Sequence, residues 1–333
     1  MRKLLFKICF TFIITGFIGV FYVKNSIESY ANSPLNIKQQ RELWVEPGAS
    51  INGTLLKLQR QGVISDIWKL KLFVKLNPVY QKIQTGLYEL HTGDTPLLIM
   101  QKLVEGDVKK FKLTLIEGHT LKEWKQTIKK APRMVLPKDI FVKVLEKYGD
   151  TSGLPEGKFF PETYNYTSTT KVQTLLEQSY NHMAEELKRV WDQRDKSVAV
   201  NSSYELLILA SIIEKETAKP EERNLISAVF NNRLKKRMRL QTDPTVIYGM
   251  GDRYQGNITK KDLRTKTPFN TYRIKGLPPT PIAAPSLASI VAAAHPADVG
   301  YLYFVSRNDG SHVFSKTLKA HNRAVNTYQR SKK

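Results

Sequence analysis

Tyr204-Glu205-Leu206-Leu207-Ile208-Leu209-Ala210-Ser211-Ile212-Ile213-Glu214-Lys215-Glu216-Thr217 is an apolar run that ends in two carboxylates. It predicts a buried helix: Ser202 followed by Glu205 is a capping-box signature for its start, and Lys219-Pro220 marks the exit from its last turn. On a wheel of about 100° per residue, Glu216 falls about 20° from Leu209 and between Ile212 and Ile213. Glu214 falls roughly 140° away. Glu216 is therefore the carboxylate expected to look into the core or a cleft. A carboxyl group held against Leu and Ile loses solvation in its charged form, so its pKa should rise, which suits a proton donor near neutral pH. Taken alone, a Glu-x-Glu at a helix end is more often two solvated residues, and the rest of the chain has to decide.

Downstream, residues 221–240 read as a second helix, with Leu225, Val229, Leu234 and Leu240 buried. Regularity then stops for about fifty residues, where loops rich in amides, hydroxyls, aromatics and prolines are expected, a stretch more often functional than idle. They include Gln241-Thr242-Asp243-Pro244-Thr245, Thr267-Pro268-Phe269-Asn270-Thr271-Tyr272 and Gly276-Leu277-Pro278-Pro279-Thr280-Pro281-Ile282. Residues 286–294 form a small-residue helix, a hairpin pairs 301–305 with 312–314 across Asn308-Asp309-Gly310, and a final helix starts near Thr317.

Upstream, residues 121–200 are largely helical, interrupted by Leu154-Pro155-Glu156-Gly157-Lys158-Phe159-Phe160-Pro161-Glu162-Thr163-Tyr164. Two prolines exclude a regular helix there, and the aromatics must pack or bind something, packing being the commoner outcome. A weak repeat precedes it. Short strands at 43–45, 86–90 and 111–115 each lead through a glycine turn to Ser50, Thr95 or Thr120 as N-cap of a helix. The first two units, residues 41–108, make one small α+β module.

The N-terminus bears on the compartment. Met1-Arg2-Lys3 precedes residues 4–23, which are apolar or small apart from Lys7 and two threonines and match a bilayer-spanning length. Positive charge concentrated before this run keeps residues 1–3 in the cytoplasm and puts the rest of the chain outside. A cleaved signal peptide with a small-x-small site at 29–31 is the weaker alternative, because the apolar segment exceeds the usual signal core. Residues 24–40 are polar, contain turn formers and read as a linker. The sole cysteine, Cys9, lies within the apolar run and excludes an intrachain disulfide. The net charge of +22 over 333 residues implies anionic surroundings. The basic residues are scattered in pairs, and an exported domain makes nucleic acid an unsuitable partner.

Catalytic signatures are few. His295, His312 and His321 lack the companions of a zinc site, so no metal and no cofactor is expected. No nucleophile elbow or phosphate-binding glycine loop occurs. What remains is Glu216, opposite loops suited to a polyhydroxylated ligand. Glycoside hydrolysis normally uses two carboxylates. Asp243 and Glu162 are candidates for the second, but neither position compels the role.

The blocks Ala210-Ser211-Ile212-Ile213-Glu214-Lys215-Glu216-Thr217, Arg239-Leu240-Gln241-Thr242-Asp243-Pro244-Thr245-Val246-Ile247-Tyr248-Gly249, Asn270-Thr271-Tyr272, Gly276-Leu277-Pro278-Pro279 and Ala293-Ala294-His295-Pro296 closely resemble the endolytic murein transglycosylase (YceG-like) family. The aromatic loop and the N-terminal anchor fit in the same order, so the resemblance covers essentially the whole chain. It implies an α+β fold with an N-terminal transmembrane helix, a LysM-like module at 41–108 and a catalytic domain at 109–333 built on a lysozyme-like glutamate helix. It implies that Glu216 is catalytic, its Glu-Thr pair paralleling the Glu-Ser pair of other lytic transglycosylases, and that Gln241, Asp243, Asn270 and Tyr272 shape a sugar cleft. The implied reaction cleaves nascent peptidoglycan between N-acetylmuramic acid and N-acetylglucosamine, endolytically and without water, leaving a 1,6-anhydro end and terminating glycan elongation. Glycan strands, the membrane through residues 4–23 and peptidoglycan synthases are the implied partners. Two alternatives stand beside this: a membrane-anchored glycan-binding scaffold, and a muramidase that activates water with Asp243 or Glu162.

Overall fold

The computed structural model describes residues 2–330, and the chain separates into two compact units. The first comprises residues 1–111 with 165–170; the second comprises 112–164 with 171–333.

The first unit opens with α1 (Arg2–Asn32), of which Phe6–Asn32 is long and apolar enough to cross a membrane. The helix continues through residues 24–32, which the sequence reads as linker. The reason is packing: Ile27 and Ala31, one turn apart, bury completely in the unit's core with Leu43, Leu55, Leu70 and Leu90, and this outweighs the turn preference of Asn and Ser. β1 (Arg41–Val45) leads to α2 (Ile51–Arg60) and α3 (Ile67–Leu76); β2 (Gly86–Leu90) leads to α4 (Pro96–Glu105). β1 and β2 pair antiparallel with Arg41 opposite Leu90 and Leu43 opposite Tyr88. Both expected N-caps form: the Ser50 hydroxyl accepts from the Gly53 N–H at 3.1 Å and the Thr95 hydroxyl from the Leu98 N–H at 3.1 Å. Each supplies one acceptor for the unpaired donors of a helix start.

β3 (Lys110–Thr114) pairs with β4 (Thr163–Thr167). Between them lie α5 (Leu121–Lys130), which Thr120 and Glu123 start with a complete capping box, and α6 (Ile140–Lys147). α7 (Val172–Gln193) follows, then α8 (Ser203–Glu216), around which the second unit is packed. α8 is buried on every side from Leu206 to Ile213, which makes it a core helix rather than an amphipathic one. Met183 and Val190 of α7, Ile226 and Phe230 of α9 (Pro220–Lys235), and Ala293 and Ala294 of α12 (Leu287–Ala294) share its core. The alanines of α12 let its backbone approach α8 closely.

Two helices interrupt the stretch expected to be irregular: α10 (Asp243–Met250) and α11 (Lys260–Arg264). Asp243-Pro244-Thr245 opens a helix rather than a loop, because proline in the first turn loses no hydrogen bond. The aromatics of the 154–164 loop pack. Phe159 is fully buried and meets Phe141 edge-on at 5.0 Å, and the Tyr164 hydroxyl donates to the Phe160 carbonyl at 2.8 Å. The hairpin of β5 (Tyr303–Ser306) and β6 (His312–Ser315) sets Ser306 opposite His312, and α13 (Leu318–Val325) follows.

Candidate active site

The two carboxylates that close α8 part company. Glu214 accepts from the backbone N–H and hydroxyl of Ser286, at 3.0 and 2.6 Å, and so fixes the start of α12. Glu216, the last residue of α8, turns into a polar cleft of about 550 Å³ whose walls include Arg233, Gln241, Asp243, Tyr272 and His312. The wheel separation of the pair is thus realised in the fold.

Part of Glu216 opens onto the cleft, yet enough protein surrounds its carboxyl that burial pushes the pKa up to about 7. The Thr242 hydroxyl, which donates to Glu216 Oε1, works against that rise, Asp243 adds to it, and His312 and Arg233 oppose it. Placement in the final helical turn also disfavours a negative charge. The result is a carboxylic acid that keeps its proton close to neutrality and can lose it at small cost.

The surroundings are held from several elements. Asp243 begins α10 and its Oδ1 accepts from the Tyr272 hydroxyl at 2.7 Å. Burial, then this bond, raises the Tyr272 pKa, so the phenol remains a donor. Arg233 on α9 is buried; its Nε donates to the Leu302 carbonyl at 2.6 Å and its Nη1 to the Leu240 carbonyl at 2.6 Å. That guanidinium ties α9 to the segment before Gln241 and to the start of the hairpin. Gln241 adopts a left-handed backbone, φ 51°, a conformation that costs a non-glycine residue roughly 1 kcal/mol and is concentrated at functional positions. His312 on β6 places Nδ1 2.6 Å from Glu222 Oε2 and donates its backbone N–H to Glu222 Oε1 at 2.9 Å. Burial opposes ionisation of Glu222, but these His312 contacts hold its carboxyl below the usual range.

Of the residues expected in the cleft, Glu216, Gln241, Asp243 and Tyr272 are there. Asn270 is not. It is fully buried, its Nδ2 donates to the carbonyls of Asp262, Leu263 and Thr265 at 3.0, 3.2 and 2.6 Å, and its Oδ1 accepts from the Tyr272 N–H at 3.0 Å. It shapes the loop that carries Tyr272 and does not line the cleft. Glu162 is also elsewhere: it is exposed and lies 3.2 Å from His182. The roles of Thr242, Arg233 and the His312–Glu222 pair were not apparent in the sequence. Only the position of Thr242 inside the Gln-Thr-Asp-Pro-Thr block hinted at its part.

Glu216 also borders a second cavity of about 370 Å³ with His119, Lys215, Thr217 and Arg223. Among the described residues, neither Arg223 Nε nor His119 Nδ1 has a hydrogen-bond partner. Another buried acid, Glu156, is committed to structure: its carboxyl accepts from the Leu121 N–H at 2.9 Å and the Tyr248 hydroxyl at 3.0 Å, and burial raises its pKa to about 7.

Fold and site together define an α+β protein that presents a carboxylic acid of raised pKa at a polar cleft, next to a second cavity that it also lines. The sequence model of the YceG-like family matches residues 43–327, and the chain belongs to that family. It is 34% identical over 311 residues to the endolytic murein transglycosylase of Bacillus subtilis (strain 168), covering 86% of this chain and 84% of that protein. A protein of the same name from Streptococcus pneumoniae R6 is 26% identical over 353 residues, which cover 95% of this chain and 63% of that protein. The 2.6 Å crystal structure of a yceG-like protein from Listeria monocytogenes superposes with a TM-score of 0.54 at 30% identity, covering 86% of this chain and 99% of that one.

Proposed function

We propose that this chain is a membrane-anchored lytic transglycosylase that cuts nascent peptidoglycan strands internally, between N-acetylmuramic acid and N-acetylglucosamine, and leaves a 1,6-anhydro muramyl end. The observation that carries the reading is the placement of Glu216, a carboxylic acid with its pKa near 7 that lines two cavities. A donor to a glycosidic oxygen must stand between the two sugars that flank the bond, and it must hold its proton at the pH of action. The names of the Bacillus and Streptococcus relatives support the substrate class.

In the first step Glu216 gives its proton to the glycosidic oxygen as the bond to muramyl C1 breaks. In the second, the muramyl 6-hydroxyl bonds to C1 of its own ring and returns its proton to the Glu216 carboxylate. Every bond broken is matched by one formed and the acid is regenerated. An internal nucleophile enjoys an effective concentration on the order of 10⁵ M or more, so no second carboxylate is needed to position water. Gln241, Asp243 and Tyr272 shape the cleft that holds the strand, and Arg233 fixes its wall.

One observation favours a second reading. Asp243 lines the same cleft and bonds Tyr272 through only one oxygen, which leaves the other able to take a proton from water. A muramidase built on Glu216 and Asp243 would release reducing ends. Glu162 lies off the cleft and has no part in it.

The remaining assignments rest on the family. α1 spans the membrane with residues 1–3 in the cytoplasm and the chain after it outside. Residues 41–108 act as a LysM-like glycan-binding module. Cutting near the bilayer ends strand growth beside the synthases. The test is cleavage of uncrosslinked glycan strands by the full chain in detergent, with Glu216→Gln in parallel. Shortening of strands by wild type and none by the variant is expected; binding without shortening by either would leave the scaffold reading.

A further inference from the structure

Helix α3 has two apolar faces. Leu70, Phe73 and Val74 are buried in the first unit's core. Trp68, Leu72 and Leu76 recur at i, i+4 and i+8 and form a separate stripe. Its two ends are uncovered, Trp68 being 53% exposed, Leu76 59%, and Val79, just past the helix, 62%, while Leu72 between them is half-buried against the core. Lys71 and Lys75, both exposed, run along one flank of it; Lys69, on the other, is ion-paired to Asp66 at 3.2 Å.

The stripe's location gives it a meaning. Leu72 and Leu76 share a groove with Gly16, Gly19, Val20 and Val23 of α1, and those four residues lie inside the run able to cross a membrane. The same unit buries Ile27 and Ala31 of α1 beside Leu70 and Phe73, so α1 and α3 are packed through one core. From Gly16 to Val23 a helix rises about 10 Å. Side chains beside that stretch stand as far inside the apolar zone, the depth at which interfacial amphipathic helices bury their apolar face.

We propose that α3 is such a helix. It inserts the Trp68, Leu72 and Leu76 stripe, with Val79, into the leaflet facing the folded units, and Lys71 and Lys75 hold anionic lipid headgroups. The occupant is lipid because the groove's other wall is the span itself, so in a bilayer acyl chains fill the space around it. The flanking lysines match anionic headgroups at the level where aromatic and basic residues anchor. The consequence is that the first unit is fixed to the bilayer at two places instead of swinging on a tether. The inference rests on the reading of α1 as a membrane span, and the experiment separates the two.

The full chain, with Cys9→Ser, receives single cysteines by Ile13→Cys, Trp68→Cys, Leu76→Cys and Val79→Cys. Each is labelled with a nitroxide and reconstituted in bilayers containing phosphatidylglycerol. Relaxation by oxygen, which partitions into lipid, is compared with relaxation by a water-soluble nickel chelate. Positions 68, 76 and 79 are expected to favour oxygen, as position 13 does, and to shift toward the chelate when the anionic lipid is replaced by phosphatidylcholine. Chelate-dominated relaxation at 68, 76 and 79 with position 13 still in lipid would overturn the inference and leave the span intact. Chelate access at position 13 would overturn both. Exclusion of both reagents from 76 and 79 would mark a protein contact and equally refute lipid insertion, and indifference to the lipid swap would refute the role of the lysines.

Discussion

Thr242→Val removes the hydroxyl that donates to Glu216 Oε1 and leaves the backbone bonds of residue 242 in place, among them its N–H to the Thr271 hydroxyl at 3.0 Å. A hydrogen bond to a charged group is worth about 1.5–3 kcal/mol. Lost from the carboxylate, and at about 1.36 kcal/mol per unit, it raises the Glu216 pKa by about one to two units. Water entering from the cleft can take the vacated position, so the lower figure applies. In the proposed reaction Glu216 acts first as an acid, so kcat/KM should be at its plateau below the pKa and fall above it. With the wild-type acid near 7, about one molecule in ten remains protonated at pH 8, against about half in the variant. At pH 8 Thr242→Val should therefore retain roughly five times the fraction of its own plateau that wild type retains of its. The assay is kcat/KM for strand cleavage from pH 5 to 9, with Thr242→Ser as the variant that keeps the hydroxyl. An alkaline limb that stays in place, or moves toward acid, would refute the claim that this bond holds the Glu216 pKa down.

Glu216→Gln removes a group whose pKa is raised on folding, from 4.5 to about 7. A raised pKa stabilises the protein fully below the unfolded value and loses that contribution as pH rises through the folded one. The variant should match wild type in denaturant melts at pH 4.5 and exceed it at pH 8.5 by up to about 3 kcal/mol; equal stability at both pH values would count against the burial argument. Asn270→Ala strips three carbonyls of their donor and should cost about 3 kcal/mol of stability. A protein of wild-type stability that had lost only substrate affinity would return Asn270 to the cleft. Gly157→Ala meets both a φ of 75° and a new methyl 2.4 Å from Pro281 Cβ, so its melting should show a loss of about 3 kcal/mol; an unchanged Tm would mean that the 154–164 loop can yield.

How much of this was legible in the sequence depended on whether a feature is local. The divergence of Glu214 and Glu216 follows from helical period alone, and the wheel found it. Ser50, Thr95 and Thr120 were readable as caps because a cap is decided within four residues. α10 was missed because Asp243-Pro244-Thr245 satisfies the rules for a turn and for a helix start alike. The helix through residues 24–32 was missed because Ile27 and Ala31 owe their burial to strands and helices distant in the chain.

The site shows the same division. Gln241, Asp243 and Tyr272 line the same cleft as Glu216, but Asn270, drawn from the same polar loops, satisfies carbonyls in its own loop. Nothing in an isolated Asn separates those fates. Nothing near His312 in the sequence names its partner, and Glu222 lies ninety positions away on α9. Contacts set by tertiary packing leave no period or motif to read.

The central claim is that one acid, Glu216, transfers the proton and the muramyl 6-hydroxyl is the nucleophile. The most direct measurement is the mass of the new muramyl ends when the full chain cuts uncrosslinked strands in water enriched in oxygen-18, with Glu216→Gln alongside. Wild type should give 1,6-anhydro ends without the heavy isotope, and the variant no new ends. Reducing ends carrying oxygen-18 would contradict the claim and identify a hydrolase in which Asp243 activates water.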